Sequence, residues 1–322
     1  MDLSDTLVIG ISSTALFDLT EADAAFRERF STDCVAAVKA YRKYMLQRED
    51  DPLEPGTGMP LVRALLDLNI QADASAHESE SPLVEVVVMS RNSPETGVRV
   101  LKNIRRLGLQ ITRHAFTGGE SVVDYLNAFD VDLFLTTNVS DAQKVIDGGL
   151  CPAAVVKPPP TQKGAIPDGQ VRIAFDGDAV LFDEASEIVY KAEGLEKFQQ
   201  QEDANQDVPM RDGPYATLLR KLARLQERLP VAVEFSPVRI AIVTARNAPA
   251  EMRVIMTLRH WGVYVDEVFF LGGMEKTKIL EAFRPHIFFD DQELHLEKIA
   301  TEFPAGKVPY KSSSPLNKSE SD

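Results

Sequence analysis

Residues 171–183 read VRIAFDGDAVLFD, and the fold turns on how this run is parsed. Val171 to Phe175 is apolar apart from Arg172, the pattern of a buried strand. The strand stops at Asp176-Gly177-Asp178, where glycine permits a sharp turn. Two carboxylates, Asp176 and Asp178, then project from the strand's carboxyl end, where open α/β sheets bind ligands. Acids two residues apart can divide labour: one attacks a phosphorus atom, the other manages the leaving group's proton. Asp and Gly are also ordinary turn formers, so the motif alone does not decide between chemistry and a plain acidic turn.

Outward from this run the chain alternates. TLVIGI (6–11), VEVVVM (84–89), LQITRHAF (109–116) and DVDLFLTTN (130–138) read as strands before it, and VRIAIV (238–243), VDEVFFL (265–271) and HIFF (286–289) after it. Amphipathic stretches lie between them, including one long helix over 20–47, one from Met59, and one over 118–129. The alternation predicts βαβ units and parallel sheet. VKPPPTQKGAIPDGQ (156–170) is proline-rich and reads as a linker between residues 1–155 and residues 171–310. Residues 184–236 form a mainly helical insertion, and the polar tail 311–322 is expected to be disordered.

The two halves repeat each other. VVVMSRNSP parallels IAIVTARNAP, RVLKNIRRLGL parallels RVIMTLRHWGV, and FTGGESVVDYLNAF parallels FLGGMEKTKILEAF, with a constant offset of 154 from Arg99 to Asn138. TALFD near the start echoes AVLFD. On this alignment Ile11 and Ser13 stand at Asp176 and Asp178, Val122 at Lys276, and Thr136 and Thr137 at Asp290 and Asp291. Every charged candidate is in the second half, and each counterpart is uncharged. Fold maintenance does not explain that asymmetry; chemistry confined to one lobe does.

Four signals converge in the second half: Asp176 with Asp178; a strand ending at Thr244, whose hydroxyl and neighbouring amides, Ala245 among them, can hold phosphoryl oxygens; Lys276 after the Gly272-Gly273 turn; and the acidic pair Asp290-Asp291. A carboxylate attacking a phosphate is anion meeting anion. A carboxylate cluster without nitrogen or sulfur ligands suits Mg²⁺, a hard cation that takes oxygen ligands.

These residues, in this order, resemble the haloacid dehalogenase-like phosphohydrolases: a strand with DxDx[TV], a strand ending in Thr or Ser, a lysine, and a strand ending in an acidic pair. VTARNAP, LRHWGVYVDEVFFLGGMEK, ILEAFRPHIFFDDQ and the N-terminal VIGISSTALFDL are similar to the cytosolic 5'-nucleotidase type I family. The resemblance implies Rossmann-type parallel sheet in two repeated α/β lobes, the first non-catalytic, with a helical cap insertion in the second. It implies Mg²⁺-dependent removal of phosphate from nucleoside 5'-monophosphates, AMP among them. Asp176 would be the nucleophile and Asp178 the acid/base, with Thr244, Ala245 and Lys276 on the phosphoryl group. Asp176, Asp290 and Asp291, with the backbone carbonyl of Asp178, would surround the metal, Asp290 directly and Asp291 directly or through water. Lys278, two residues on, could take the lysine role; Lys276 is preferred because it sits closer to the Gly-Gly turn. Two alternatives stay open: a sugar-phosphate or other small-ester phosphatase of the same fold, and a nucleotide-sensing first lobe.

Other residues carry less. Arg246-Asn247 follows Thr244, and Arg91-Asn92 occupies the matching place in the first half, so a turn role competes with substrate contact. His286 reads as packing or surface; His114, His260 and His295 lack metal-ligand spacing. Phe182, Tyr190 and Phe198 read as core, with base stacking the alternative, and the Gly-Gly pairs as tight turns or anion cradles.

Composition sets outer bounds. The chain has 322 residues, 44% hydrophobic and 26% charged, with net charge -14. That charge argues against nucleic acid and anionic membrane as partners. Two cysteines, Cys34 and Cys151, give no disulfide framework. No signal-peptide or spanning pattern is present, so a cytoplasmic location is expected. A homo-oligomer remains open.

Overall fold

The computed structural model describes residues 3–30, 32–73, 81–161, 167, 169–229 and 236–319. The first lobe contributes β1 (Leu7–Ile11), β2 (Val84–Ser90), β3 (Arg113–Phe116), β4 (Leu133–Thr136) and β5 (Ala153–Val156). The second contributes β6 (Val171–Phe175), β7 (Val238–Thr244), β8 (Glu267–Phe270), β9 (Ile287–Asp290) and β10 (Ala305–Lys307). They form one continuous sheet in the order β3-β2-β1-β4-β5-β10-β9-β6-β7-β8. Within each half every pairing is parallel; β5 and β10 meet antiparallel, Val156 opposite Gly306. Strands therefore run in opposite directions on either side of the join, and the carboxyl ends of the two halves lie at opposite edges.

The helices of the first half are α1 (Ser13–Leu16), α2 (Thr20–Phe30), α3 (Cys34–Gln47), α4 (Met59–Asp73), α5 (Val98–Arg106) and α6 (Val139–Gly148). Those of the second are α7 (Ala185–Ala204), α8 (Ala216–Glu227), α9 (Glu251–Trp261), α10 (Thr277–Phe283), α11 (Glu293–Ile299) and α12 (Pro315–Ser319). The strands are apolar on both faces because helices cover both. On one face a single core runs through both halves, from Leu7, Ile9 and Val86 to Ile173, Phe175 and Ile240. There α4 of the first half also reaches β6, and α8 of the second reaches β1. On the other face the core divides, around Val8, Val87 and Phe134 in one half and Ala174, Val243 and Phe288 in the other.

Backbone bonds define the repeat more closely than the residues do. Ile9 pairs with Val86 and Leu133, whereas Ile173 pairs with Ile240 and Ile287. Ser12 N donates to Leu135 O as Asp176 N donates to Phe289 O, both at 2.8 Å. Ser12 and Thr14, rather than Ile11 and Ser13, therefore stand at Asp176 and Asp178. The alignment slipped because the second half has one extra residue in the turn. Gly177–Leu181 is a π-type turn closed by Phe182 N to Gly177 O, with Ala179 at φ 58°. The first half closes an ordinary α-turn, Phe17 N to Ser13 O. Likewise Asn92 N donates to Ser90 Oγ as Arg246 N donates to Thr244 Oγ1, so Asn92 matches Arg246.

Other expectations shift. The helix expected over 20–47 is the hairpin α2–α3, restarted where Asp33 caps α3 by accepting from Ala36 N at 2.9 Å. The helix expected over 118–129 is two single 3₁₀ turns, Val123–Tyr125 and Asn127–Phe129. Within the 184–236 insertion expected as a cap, α8 buries Leu218, Leu219, Leu222 and Leu225 in the shared core, and α7 contributes no residue to that core. Phe182 bridges Asp212, closing the base of the inserted segment. The tail also differs from expectation. Ser312 Oγ donates to Asp147 at 2.6 Å, Ser314 Oγ to Glu184 at 2.5 Å, and Leu316 is buried, so 311–319 docks across both halves. Much of the expected linker, and 320–322, lies outside the described residues. Among the described residues no helix is long and apolar enough to cross a membrane.

Candidate active site

β6 lies between β9 and β7, so their three carboxyl ends open side by side. Asp176 follows β6, Thr244 ends β7, and Asp290 ends β9 with Asp291 next. Gly177 keeps the turn close to β7: a Cβ there would crowd Thr244 Oγ1 at 3.3 Å. Lys276, between β8 and α10, points into the same space. Its Nζ is 3.0 Å from Asp176 Oδ1 and 2.7 Å from Asp290 Oδ2. Lys278 is exposed, so Lys276 is the lysine the fold brings to the carboxylates.

Asp176, Asp290 and Asp291 each present an oxygen within 4.8 Å of the others, and all three are buried. Their titration separates accordingly. Burial pushes Asp176 up to about 7, against the pull of Lys276. Burial also penalises ionised Asp290, but Lys276 and His295 outweigh it and hold that carboxyl at about 2. Asp291 is pushed well above the carboxylate range, first by burial, then by Asp290. Burial works against the Lys276 ammonium too, yet its two carboxylate partners keep it well above the usual lysine range. Asp291 Oδ2 accepts from Tyr310 Oη, while Oδ1 is buried without a hydrogen-bond partner. An orphaned carboxylate oxygen inside an all-oxygen cluster fits a hard divalent cation.

Asp178 lies apart from that cluster. Arg246 grips it through both oxygens, Nε at 2.7 Å and Nη2 at 2.6 Å, and donates its remaining nitrogen to Glu202 of α7. Burial opposes the guanidinium's charge, but Asp178 and Glu202 raise its pKa beyond the ordinary arginine value. Glu202 also accepts from Ser186 Oγ at 2.9 Å and Arg253 Nη1 at 2.8 Å. The carboxylates of Asp176, Asp290 and Asp291 thus lie together, and that of Asp178 sits on an arginine. Ala245 is exposed at the end of β7, and its carbonyl accepts from Gly273 N. Gly272 N is likewise spent on Arg246 O, so these glycine amides close a turn rather than wait for an anion.

Sequence reasoning undervalued Arg246 and His295 and missed Glu202, Tyr310 and Glu187. His295 Nδ1 is 3.2 Å from Asp290 Oδ2. Glu187 Oε1 accepts from Gln292 Nε2 at 3.0 Å. The presence of Arg91-Asn92 in the first half masked Arg246; for the others no spacing signal exists. His286 is core, its Nδ1 accepting from Arg172 N at 3.0 Å. Phe182 and Phe198 are buried as expected, whereas Tyr190 is exposed on α7.

A family model described as 5'-nucleotidase matches residues 1–315. The chain belongs to the 5'-nucleotidase family. It is 34% identical over 296 residues to human cytosolic 5'-nucleotidase 1B, a match covering 91% of this chain and 47% of that protein. The chain thus spans about half the length of that curated relative. Among solved structures, a chain of the Pnkp1/Rnl/Hen1 RNA repair complex aligns over 95% of this chain and 96% of its own. Its TM-score of 0.31 at 11% identity is too low to bear on this 5'-nucleotidase-family fold. The asymmetry between the halves lies inside the family match.

Proposed function

We propose that the chain hydrolyses nucleoside 5'-monophosphates, AMP-like substrates included, in the cytoplasm, with Asp176 as nucleophile and Mg²⁺ as cofactor. The observation that carries this is the buried Asp176–Lys276–Asp290–Asp291 cluster at the carboxyl ends of β6 and β9, in a chain of this family. Asp176, Asp290 and Asp291 would hold the metal. When bound, Mg²⁺ would screen the charge between carboxylate and phosphate.

The residues divide the work. Asp176 attacks phosphorus; the P–O bond to the nucleoside breaks, leaving an aspartyl-phosphate and a nucleoside oxygen that needs a proton. Asp178 supplies that proton from an oxygen released from the Arg246 fork, then takes one from the water that hydrolyses the acyl-phosphate. Arg246 aims the Asp178 carboxyl and couples it to α7 through Glu202. Lys276 neutralises charge beside the attacking oxygen, and Thr244 offers its hydroxyl to the phosphoryl group. The segment carrying α7 covers the site and excludes water.

The test is phosphate release across nucleoside monophosphates and sugar phosphates, with chelator and with Mg²⁺ restored. Release from nucleotides that stops in chelator and returns with Mg²⁺ is expected. Preference for sugar phosphates would overturn the substrate, and full activity in chelator the metal.

A further inference from the structure

The first half keeps the architecture of the active site while exchanging its charges. Ser12, Thr14, Thr136 and Thr137 stand where Asp176, Asp178, Asp290 and Asp291 stand. The equivalence is structural: Thr136 Oγ1 accepts from Asn138 N at 3.0 Å, as Asp290 Oδ1 accepts from Gln292 N at 2.8 Å. Thr14 and Thr137 hydroxyls meet at 2.6 Å. The cations are gone as well, with Asn92 at Arg246 and Val122 at Lys276. The covering element is not gone. Residues 18–54, carrying the α2–α3 hairpin, leave and rejoin this half as 183–211 does the other: Asp18 N donates to Glu54 O, and Asp183 N to Arg211 O.

Between that hairpin and the threonines lies a cavity of about 950 Å³, reaching Thr14 and Thr137 on one side and Leu19, Pro158 and Pro159 on another. A volume of this order suits a small organic ligand. Its charges do not suit a phosphate. Asp18, Asp23 and Glu28 line it against two cations, Arg27 and Lys157. Lys157 already pairs with Glu293, which leaves Arg27 facing three carboxylates. A phosphate would enter a site whose carboxylates outnumber its cations. Hydroxyls and carboxylates instead match a sugar's hydroxyl groups, and the leucine and proline surfaces match a planar base.

We infer that this first-half cavity is a second binding site, for an uncharged nucleoside. The class is that of the product of the reaction proposed above, and only that link rests on it; the cavity's selectivity follows from its own residues. Thr14 and Thr137 hydrogen-bond the ribose hydroxyls, and the base lies against Leu19 and the prolines.

The test is photolabelling of the whole chain with 2-azidoadenosine, read by peptide mapping. It needs no turnover, so it stands even if the enzyme acts on another phosphate ester. Label is expected on peptides containing 18–28 and 157–159. Adenosine should displace it, while ribose and the non-hydrolysable 5'-phosphonate analogue of AMP should displace it at least about tenfold less well. Thr137→Val should weaken labelling about threefold to tenfold, the worth of a neutral hydrogen bond. Ala24→Trp, at an exposed position on the cavity wall, should abolish first-half labelling with Tm and phosphate release unchanged. Label confined to second-half peptides, equal displacement by the phosphonate, or undiminished first-half labelling in Ala24→Trp would overturn the inference.

Discussion

Lys276 and Asp290 form a buried ion pair, Nζ to Oδ2 at 2.7 Å, and the same ammonium reaches Asp176 at 3.0 Å. One cation thus compensates two of the three clustered carboxylates. Lys276→Met removes that compensation and should destabilise the metal-free protein by about 3–5 kcal/mol. Adding Mg²⁺ should raise Tm more in the variant than in the wild type. Calorimetry in chelator and in Mg²⁺ measures both; equal metal shifts would contradict a shared electrostatic site.

Asp176→Asn removes the attacking charge at nearly constant volume. Phosphate release should fall at least about 10⁴-fold, with the unfolding midpoint not lowered, because a buried carboxyl pushed up to about 7 gives way to a neutral amide. Retention of a tenth of wild-type turnover would remove Asp176 from the role.

The Arg246 fork should matter for both stability and rate. Arg246→Met leaves Glu202, 1% exposed, with Arg253 and Ser186 only, and should cost about 3 kcal/mol in urea unfolding. Combining it with Glu202→Gln should restore part of the stability without restoring turnover, since Asp178 stays unaimed. Recovery of turnover in the double variant would show that Arg246 serves only to compensate Glu202.

Tyr310 donates to Asp291 and packs with Ala179 and Leu316. Tyr310→Phe keeps the packing and removes the donor. The Mg²⁺ concentration for half-maximal activity should rise roughly tenfold, as for other partners of metal ligands, with kcat at saturating Mg²⁺ changed far less. A fall in kcat with unaltered metal dependence would place Tyr310 elsewhere in the mechanism.

His286 gives a pH signature. Burial pushes its imidazole down to about 4, and the nearby Arg172 charge pushes the same way. The unfolded chain binds this proton near pH 6.5. The stability it contributes is therefore full above about 6.5 and falls as pH drops toward 4, by about 3 kcal/mol in all. His286→Gln should flatten the stability–pH curve in that window relative to the wild type, measured by urea unfolding at half-unit steps. Parallel curves would show that the imidazole titrates normally.

Much of this molecule was legible in the sequence because its signals are local. Parallel strands buried on both faces need continuous apolar runs, so VRIAF and VRIAIV announce themselves. A polar side chain at a strand's end is a property of adjacent residues, so the placement of Asp176, Thr244, Asp290 and Asp291 could be read in one dimension. The repeat, too, was visible, since the two halves share their core patterns.

The tertiary structure decided what depends on partners distant in the chain. Ala153–Val156 and Ala305–Lys307 are too short and plain to declare themselves strands. Each is a strand because the other is there, and their antiparallel join turns two sheets into one. The register of β1 against β2 and β4, not residue likeness, placed Ser12 rather than Ile11 at Asp176. Asp178 was chosen from sequence as a neighbour of Asp176, yet its partner is Arg246, 68 residues on. Lys276 was preferred to Lys278 by its closeness to the glycine turn, but its burial between two carboxylates is visible only in three dimensions. Sequence spacing carries hydrophobic periodicity and turn chemistry; ion pairs and metal-side geometry form between elements that only folding brings together.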